Sequence, residues 1–243
     1  FDRTPSRYLT HDQEMIIGDI MNLDKVTEAA KGADVVYNFA AIADIDEATD
    51  KPLATATINV LGNMHALEAA RIVGARRFVF ASTIYVYSES GSFYRASKQA
   101  AERFIETYHE RYGLDYSILR YGSLYGRRAD ARNGIYRMLH EALERHSITY
   151  HGSGEAIREY IHVEDAARMS VQVLAPEFAN RHLILTGQER LRIKDVMTMI
   201  SEIMPWKIDL HFDQARAGHH YEVTPYAFQP LIGHKLVLNE HVD

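Results

Sequence analysis

Tyr94-Arg-Ala-Ser-Lys98 puts a phenol and an ammonium four residues apart, and on a helix side chains at that spacing share a face and can reach one point. A tyrosine near its reference pKa of about 10 is a poor base at neutral pH, but an adjacent cation favours the phenolate. The pair therefore predicts a general base for a substrate hydroxyl. Taken alone, the spacing equally describes an ordinary surface pair. Its context narrows the choice, because the apolar run at 78–81 ends in Ser82-Thr83. A hydroxyl there can hold the same substrate oxygen and complete a Thr83, Tyr94, Lys98 set.

Positioning such a set requires strand ends and helix starts on one side of a sheet. From the first residues to about position 120, short apolar runs alternate with helix-length amphipathic segments, the pattern of a parallel sheet with helical crossovers. Strands are predicted at 15–17, 35–39, 78–81 and 116–119, each too apolar for a sheet with one wet face. A long helix is predicted over 52–74, with Leu53, Ile58, Leu61, Met64, Leu67 and Ile72 as its stripe and Gly74 as its stop. A second runs over 92–112 and stops at Gly113. The expectation is a doubly wound α/β domain over 1–126, with ligands beyond the carboxyl ends of its strands. That rule directs attention to Asp19, to 38–41, to 82–83 and to 121–126. Beyond Gly126 the pattern loosens into a smaller mixed α/β lobe over 127–243, with a segment near 155–190 expected to contribute to the sheet. Helices are predicted near 134–145, 163–174 and 193–203, and a Gly-Ser-Gly turn at 152–154.

The 243 residues suffice for a full core, and 47% hydrophobic with 25% charged residues is ordinary globular composition. No apolar run approaches the roughly 20 residues that span a bilayer, so no membrane role is expected. A formal net charge of −6 with scattered basic residues offers no electrostatic footprint for nucleic acid. With no cysteine and no export segment at the start of the sequence, a cytoplasmic protein is expected. Thirteen histidines, among them His211, His219, His220 and His234, raise a metal site. They lack the i,i+4 geometry of a helical site and a completing carboxylate pattern, so no metal is expected.

Four stretches in order, Ala81-Ser-Thr-Ile-Tyr-Val-Tyr87, Tyr94–Lys98, Leu119-Arg-Tyr-Gly-Ser-Leu-Tyr-Gly126 and Arg158-Glu-Tyr-Ile-His-Val-Glu-Asp-Ala166, resemble the extended short-chain dehydrogenase/reductase family along nearly the whole chain. Among its members the sugar-nucleotide epimerases and dehydratases are the most similar in motif, UDP-glucose 4-epimerase being the best-known representative. The resemblance implies a Rossmann-like fold, NAD as cofactor, and Thr83, Tyr94 and Lys98 as the catalytic set. On the cofactor side it implies Asp2 at the adenosine ribose, whose free 2′-hydroxyl would mark NAD, although Arg3 beside it weakens that choice. It further implies Asp19 and Ile20 at the adenine, Phe39, Ala40 and Ala41 at the diphosphate and nicotinamide ribose, Asn59 as a brace between neighbouring strands, and Tyr121 at the end of its strand. Asn38 stands where the family usually has histidine, and Ser88 where it has glycine. The family's glycine-rich phosphate loop is not found, and Phe1-Asp2-Arg3 resembles the end of the second strand, so an opening portion of roughly thirty residues is expected to be lacking.

On the substrate side, the resemblance implies Arg158 on a nucleotide diphosphate, which an arginine fork suits. It implies Ser123 where relatives carry an asparagine against substrate phosphates. Surface pairing of Arg158 with Glu155 or Glu159 is the competing reading. Tyr150 and Tyr160 line the nucleotide pocket or serve as packing. Related dehydratases and decarboxylases carry acidic residues where this chain has Ile84 and Tyr85, which favours a nucleotide-sugar 4-epimerase acting on a UDP-sugar. A net reductase or dehydratase, or an idle nucleotide-binding module, are the alternatives. A homodimer through the helices at 52–74 and 92–112 is also implied.

Overall fold

The computed structural model describes residues 1–213. After Asn22, whose side chain accepts from the Lys25 amide, helix α1 spans Leu23–Ala29 and leads to strand β1, Val35–Asn38. Helix α2 (Ile45–Asp50) is capped by Asp44 accepting from the Glu47 amide, which satisfies an otherwise orphaned N–H. Helix α3 (Pro52–Ala56) opens on a proline, whose missing N–H is harmless in a first turn. Helix α4 is Asn63–Ile72, strand β2 Arg77–Thr83, helix α5 Ser92–Tyr112 and strand β3 Tyr116–Tyr121. There follow β4 (Ser123–Tyr125), α6 (Gly134–Arg145), β5 (Ser147–His151), β6 (Ile157–His162), α7 (Val163–Gln172), β7 (Arg181–Leu185), β8 (Arg190–Arg192), α8 (Ile193–Ile203) and β9 (Asp209–Asp213).

The principal sheet has the order β1-β2-β3-β7, parallel throughout. Its apolar runs are explained by burial on both faces. Phe78, Phe80 and Ile118 pack with Leu67 and Ile105 of α4 and α5, whereas the alternating Val79 and Leu119 face Leu185 and the Val173 that follows α7. A three-stranded sheet, β4-β6-β8, and a parallel pair, β5-β9, carry the later residues. Their core is Met138, Ala142, Ile148, Met197 and Ile200 with their neighbours. Among the described residues no helix is long and apolar enough to cross a membrane.

Two elements differ from expectation. Residues 15–17 form no strand of their own: Ile17 makes an isolated parallel bridge with Asp2, and with Ile17 42% exposed nothing extends the ladder. The helix at 52–74 is interrupted by a π turn, Thr57–Gly62, between α3 and α4. The wider turn breaks the regular stripe, so Leu53 is 83% exposed while Leu67 is fully buried. It also turns Asn59 and Gly62 inward, and π turns of this kind commonly sit at functional sites. Gly62 admits the neighbouring chain closely, since a Cβ there would lie 2.9 Å from Ile20 Cγ2. His219, His220 and His234 lie outside the described residues.

Candidate active site

The register of β2 against β3 pairs Thr83 with Tyr121 at the carboxyl end of the sheet. A turn of 3-10 helix, Ile84–Tyr87, then carries the chain to Gly91, whose φ of 97° and closeness to Tyr85 suit glycine alone: a Cβ would meet the Tyr85 ring at 2.8 Å. Helix α5 starts immediately after, so Tyr94 falls in its first turn and Lys98 one turn on. The Tyr94 phenol is hydrogen-bonded to Thr83. Lys98 is buried, donates from Nζ to the Ala81 carbonyl at 2.7 Å, and lies 4.7 Å from the Phe80 ring centroid and 5.8 Å from that of Tyr94.

These three side chains open on a cavity of about 530 Å³. Its floor includes Ala41, Phe39 and Tyr121, and its far wall is α7 through Val163, Ala166 and Ser170. A large apolar cavity with few convergent polar groups is the usual form of a small-molecule site. Tyr121 and Ser170 share a 2.5 Å hydrogen bond between hydroxyls, and the Tyr37 hydroxyl donates to the Ser170 carbonyl at 2.7 Å. Phe39, 57% exposed, stacks on Tyr37 with centroids 6.1 Å apart. A smaller groove of about 220 Å³ beside α6 contains none of the expected site residues.

Burial sets the electrostatics. Desolvation pushes Tyr94 up to about 12, against the pull of its hydrogen bond to Thr83. Desolvation also brings Lys98 down to about 8, against the negative charge of Glu102. Near neutral pH the protein by itself therefore holds a protonated phenol beside a charged amine. The expectation that the neighbouring cation favours phenolate is outweighed here by the burial of both groups.

The other expected residues divide. Ala40 donates its N–H to Asn38 Oδ1 at 3.1 Å, and Asn38 Nδ2 donates to Asn63 Oδ1 at 2.8 Å, so the residue replacing the family histidine locks the loop. Asn59 is buried in the π turn. Its amide accepts from Ile42 N–H at 2.7 Å, and donates to Ile42 C=O at 3.0 Å and to Ser97 Oγ at 2.9 Å. It braces the loop after β1 to α5, rather than two strands to each other. Asp2 accepts from the Thr4 amide at 3.0 Å, which holds its carboxyl below the usual range, and its carbonyl accepts from Gly18 N–H at 2.9 Å. That bond brings it next to exposed Asp19, whose Oδ1 accepts from Met21 N–H at 2.9 Å. Ile20 packs into the core. Asp2, Asp19, Ile20, Ala40 and Asn59 do not line the cavity.

On the substrate side, Ser123 pairs in register with Tyr160, between the cavity-lining Gly122 and Leu124. Arg158 is 7% exposed, lies opposite Leu191 of β8 and donates to the Ile157 carbonyl at 2.9 Å. It too lies off the cavity wall. Tyr150 and Tyr160 pack against the core of the later lobe. Among the described residues no group of three or more His, Asp or Glu could hold a metal ion.

Sequence reasoning missed Tyr37 and Ser170, whose convergence depends on α7 returning over the sheet. It also missed Glu102, although Tyr94, Lys98 and Glu102 stand at successive four-residue steps of one helix. The chemistry of this cavity suits a nicotinamide dinucleotide: a phenol, a hydroxyl and an ammonium meet at an apolar end, Ala40 and Ala41 keep the backbone accessible after Phe39, and the carboxylates of Asp2 and Asp19 stand off the cavity wall.

Comparison with known proteins agrees with that chemistry. The uncharacterised UDP-glucose epimerase YtcB of Bacillus subtilis (strain 168) is 28% identical over 204 residues, 77% of this chain and 64% of its own, so the chain spans a little under two thirds of that relative. A dTDP-glucose 4,6-dehydratase of Streptomyces antibioticus is 30% identical over 61% of this chain and 48% of its own. The crystal structure of UDP-glucuronic acid 4-epimerase from Bacillus cereus, in complex with UDP-glucuronic acid and NAD, superposes with a TM-score of 0.80 at 23% identity, covering 90% of this chain and 76% of that one. Residues 2–185 match the family described as the NAD dependent epimerase/dehydratase family, and with three quarters of its length inside that match the chain belongs to this family of enzymes.

Proposed function

We propose that the protein is an NAD-dependent nucleotide-sugar 4-epimerase acting on a UDP-sugar through transient hydride transfer at C4. The observation that carries this reading is the meeting of Thr83, Tyr94 and Lys98 on one cavity whose neighbouring positions, Ile84 and Tyr85, are not acidic. Ile84 is buried, and the Tyr85 ring stands edge-on to Tyr94 at 6.3 Å.

NAD, when bound, supplies a two-electron acceptor and returns the hydride. Tyr94 takes the proton of the C4 hydroxyl as that carbon is oxidised, and gives it back when the ketone is reduced on its other face. Thr83 holds the same oxygen by a hydrogen bond. The Lys98 charge, joined by the positive charge that bound NAD would bring beside the phenol, would favour the phenolate against the burial that opposes it, so that Tyr94 can accept the substrate proton. Tyr121, tied to Ser170, is the platform for the nicotinamide end, while Asp2, Asp19, Ile20, Ala40 and Ala41 serve the adenosine and diphosphate. Asn59 acts on that side indirectly, through the loop it braces. Ser123 and Arg158 are assigned to the nucleotide diphosphate. Exposed Leu53, Leu61, Phe93 and Phe104 along the α3–α4 and α5 helices support a homodimer.

The dehydratase among the relatives keeps a second reading in play, elimination to a 4-keto-6-deoxy sugar. The test is to incubate the full-length protein with NAD and a panel of UDP-, dTDP- and GDP-sugars and follow sugar stereochemistry by NMR. Interconversion at C4 without net NADH is expected. Stoichiometric NADH, or a 4-keto-6-deoxy product, would overturn the epimerase. Full function in Tyr94→Phe would favour a nucleotide-binding module instead.

A further inference from the structure

Behind the cavity lies a buried charged network that the reaction described above does not use. Glu102, 2% exposed, accepts from Ser82 Oγ at 2.5 Å and from Arg120 Nε at 3.0 Å and Nη2 at 2.6 Å. Arg120 also donates to the Tyr87 hydroxyl, with its guanidinium 4.7 Å from the centroid of that ring. Its Nη2 lies 2.7 Å from Nδ1 of His182 on β7. Since arginine can only donate, Nδ1 must accept. The ring proton is then on Nε2, which reaches Glu106 at 2.9 Å.

Each contact holds an element of the site from behind. Ser82 precedes Thr83 on β2, Arg120 precedes Tyr121 on β3, Tyr87 ends the turn that follows Thr83, and Glu102 is one turn beyond Lys98 on α5. One carboxylate therefore ties the ends of two strands to the helix that carries the phenol and the amine. Four-residue steps place Tyr94, Lys98 and Glu102 along one side of that helix. A fully satisfied buried network of this kind rigidifies what it touches.

We propose that Glu102 is a positioning residue for Lys98 and Tyr94, registering α5 on the ends of β2 and β3 through Ser82 and Arg120 and placing a buried carboxylate one helical turn beyond the Lys98 amine. The inference rests on the reading of Thr83, Tyr94 and Lys98 as the reacting set. The charged and titratable groups around the pair and its network are Tyr94, Glu102 and Glu106 from α5, Tyr85 and Tyr87 from the turn after β2, Arg120 and Tyr121 from β3 and His182 from β7. From β2 come the Ala81 carbonyl and the Phe80 ring. Of these charges, Glu102 is the one that opposes the desolvation of Lys98.

The test uses the full chain and a trace of acetic anhydride, with the extent of Lys98 acylation followed by mass spectrometry from pH 5 to 11 and exposed Lys207 as internal reference. In Glu102→Gln the pH of half-maximal Lys98 reactivity is expected to fall by about one unit. Glu102→Asp, which keeps the charge, is expected to recover most of that shift, and Ser82→Ala to move it less than Glu102→Gln does. A midpoint unmoved in folded Glu102→Gln would overturn the proposal. Should that variant fail to fold, a midpoint in Glu102→Asp or Ser82→Ala that falls a full unit or more would overturn it equally. With a sugar that the wild type turns over, Glu102→Gln is expected to lower kcat several-fold more than it changes KM and to move the pH profile the same way. A wild type that turns over no nucleotide sugar defeats the proposed function and leaves the labelling result readable.

Discussion

The principal sheet with α5 and the later lobe built on α6 and α8 are both packed cores, yet they bury different things. The core of the later lobe encloses apolar side chains such as Met138, Ile148 and Met197, and its buried charges, Arg158 and Glu159, lie on β6, with Glu159 paired to Arg190. The sheet side buries Asn38, Asn59, Ser82, Thr83, Ser97, Lys98 and Glu102. Burying polar or charged groups is costly unless each is paired, and each of these has a partner within hydrogen-bond reach. The contrast teaches that one core exists to hold its neighbours in place, whereas the other accepts an energetic cost in order to hold a phenol and an amine at one point.

Tyr94→Phe should draw that distinction most sharply. It is expected to reduce nucleotide-sugar turnover by roughly 10²–10⁴-fold, with little change in the urea midpoint. Met197→Ala, in the later core, should leave turnover of the folded fraction nearly intact and cost about 2–5 kcal/mol of stability. A variant pair with those outcomes exchanged would break the comparison.

Arg120→Met comes next. It leaves Glu102 buried without its guanidinium partner and should cost about 3–5 kcal/mol in urea unfolding. Replacing Glu102 and Arg120 together by apolar residues of similar volume should cost less than Arg120→Met alone, because no buried charge is then stranded.

The same pair predicts an acid transition. Burial pushes the Glu102 carboxyl up, but the neighbouring His182 ring, the hydrogen bonds and charge of Arg120 and the bond from Ser82 outweigh it and hold it at about 2. A depressed carboxyl stabilises the fold above its unfolded pKa, and this contribution is lost as pH falls from about 4.5 to about 2. Lys98 acts in the opposite sense. Its charged form is disfavoured in the fold, so stability should rise as pH climbs from about 8 to about 10.5. Melting temperatures measured across both windows should lose the first dependence in Glu102→Gln and the second in Lys98→Met. The smallest effect belongs to the surface: Arg132→Ala breaks an exposed pair with Asp130 and should leave the urea midpoint unchanged within error.

Much of the fold was legible because its determinants are local. The β1 to β3 strands and α5 fall close to their predicted spans, and α5 ends at Gly113 with φ of 71° because a left-handed residue stops a helix there. The 52–74 segment was legible as helical but not as interrupted, because a π turn is selected by what its inward residues meet. Asn59 finds Ile42 and Ser97, and Gly62 admits Ile20. That Thr83, Tyr94 and Lys98 meet was legible in the sequence, and they do line one cavity; the placement of the other expected residues was less so. Asp2 and Asp19 do come together, through the Gly18 to Asp2 bond, but off the cavity wall, and the Arg158 side chain is held along its own strand.

Sequence by itself determined the shared face of Tyr94 and Lys98, since a four-residue step on a helix fixes direction without reference to anything distant. It also determined the parallel α/β character, through apolar strands that need cover on both sides. Only the tertiary structure decided the protonation balance of that pair and the identity of its supports. Burial depends on every element packed around a group, and the partners of Glu102 come from β2, β3 and β7. Those contacts span 18 residues to Arg120, 20 to Ser82 and 80 to His182, separations over which no periodic pattern carries information about who will meet whom.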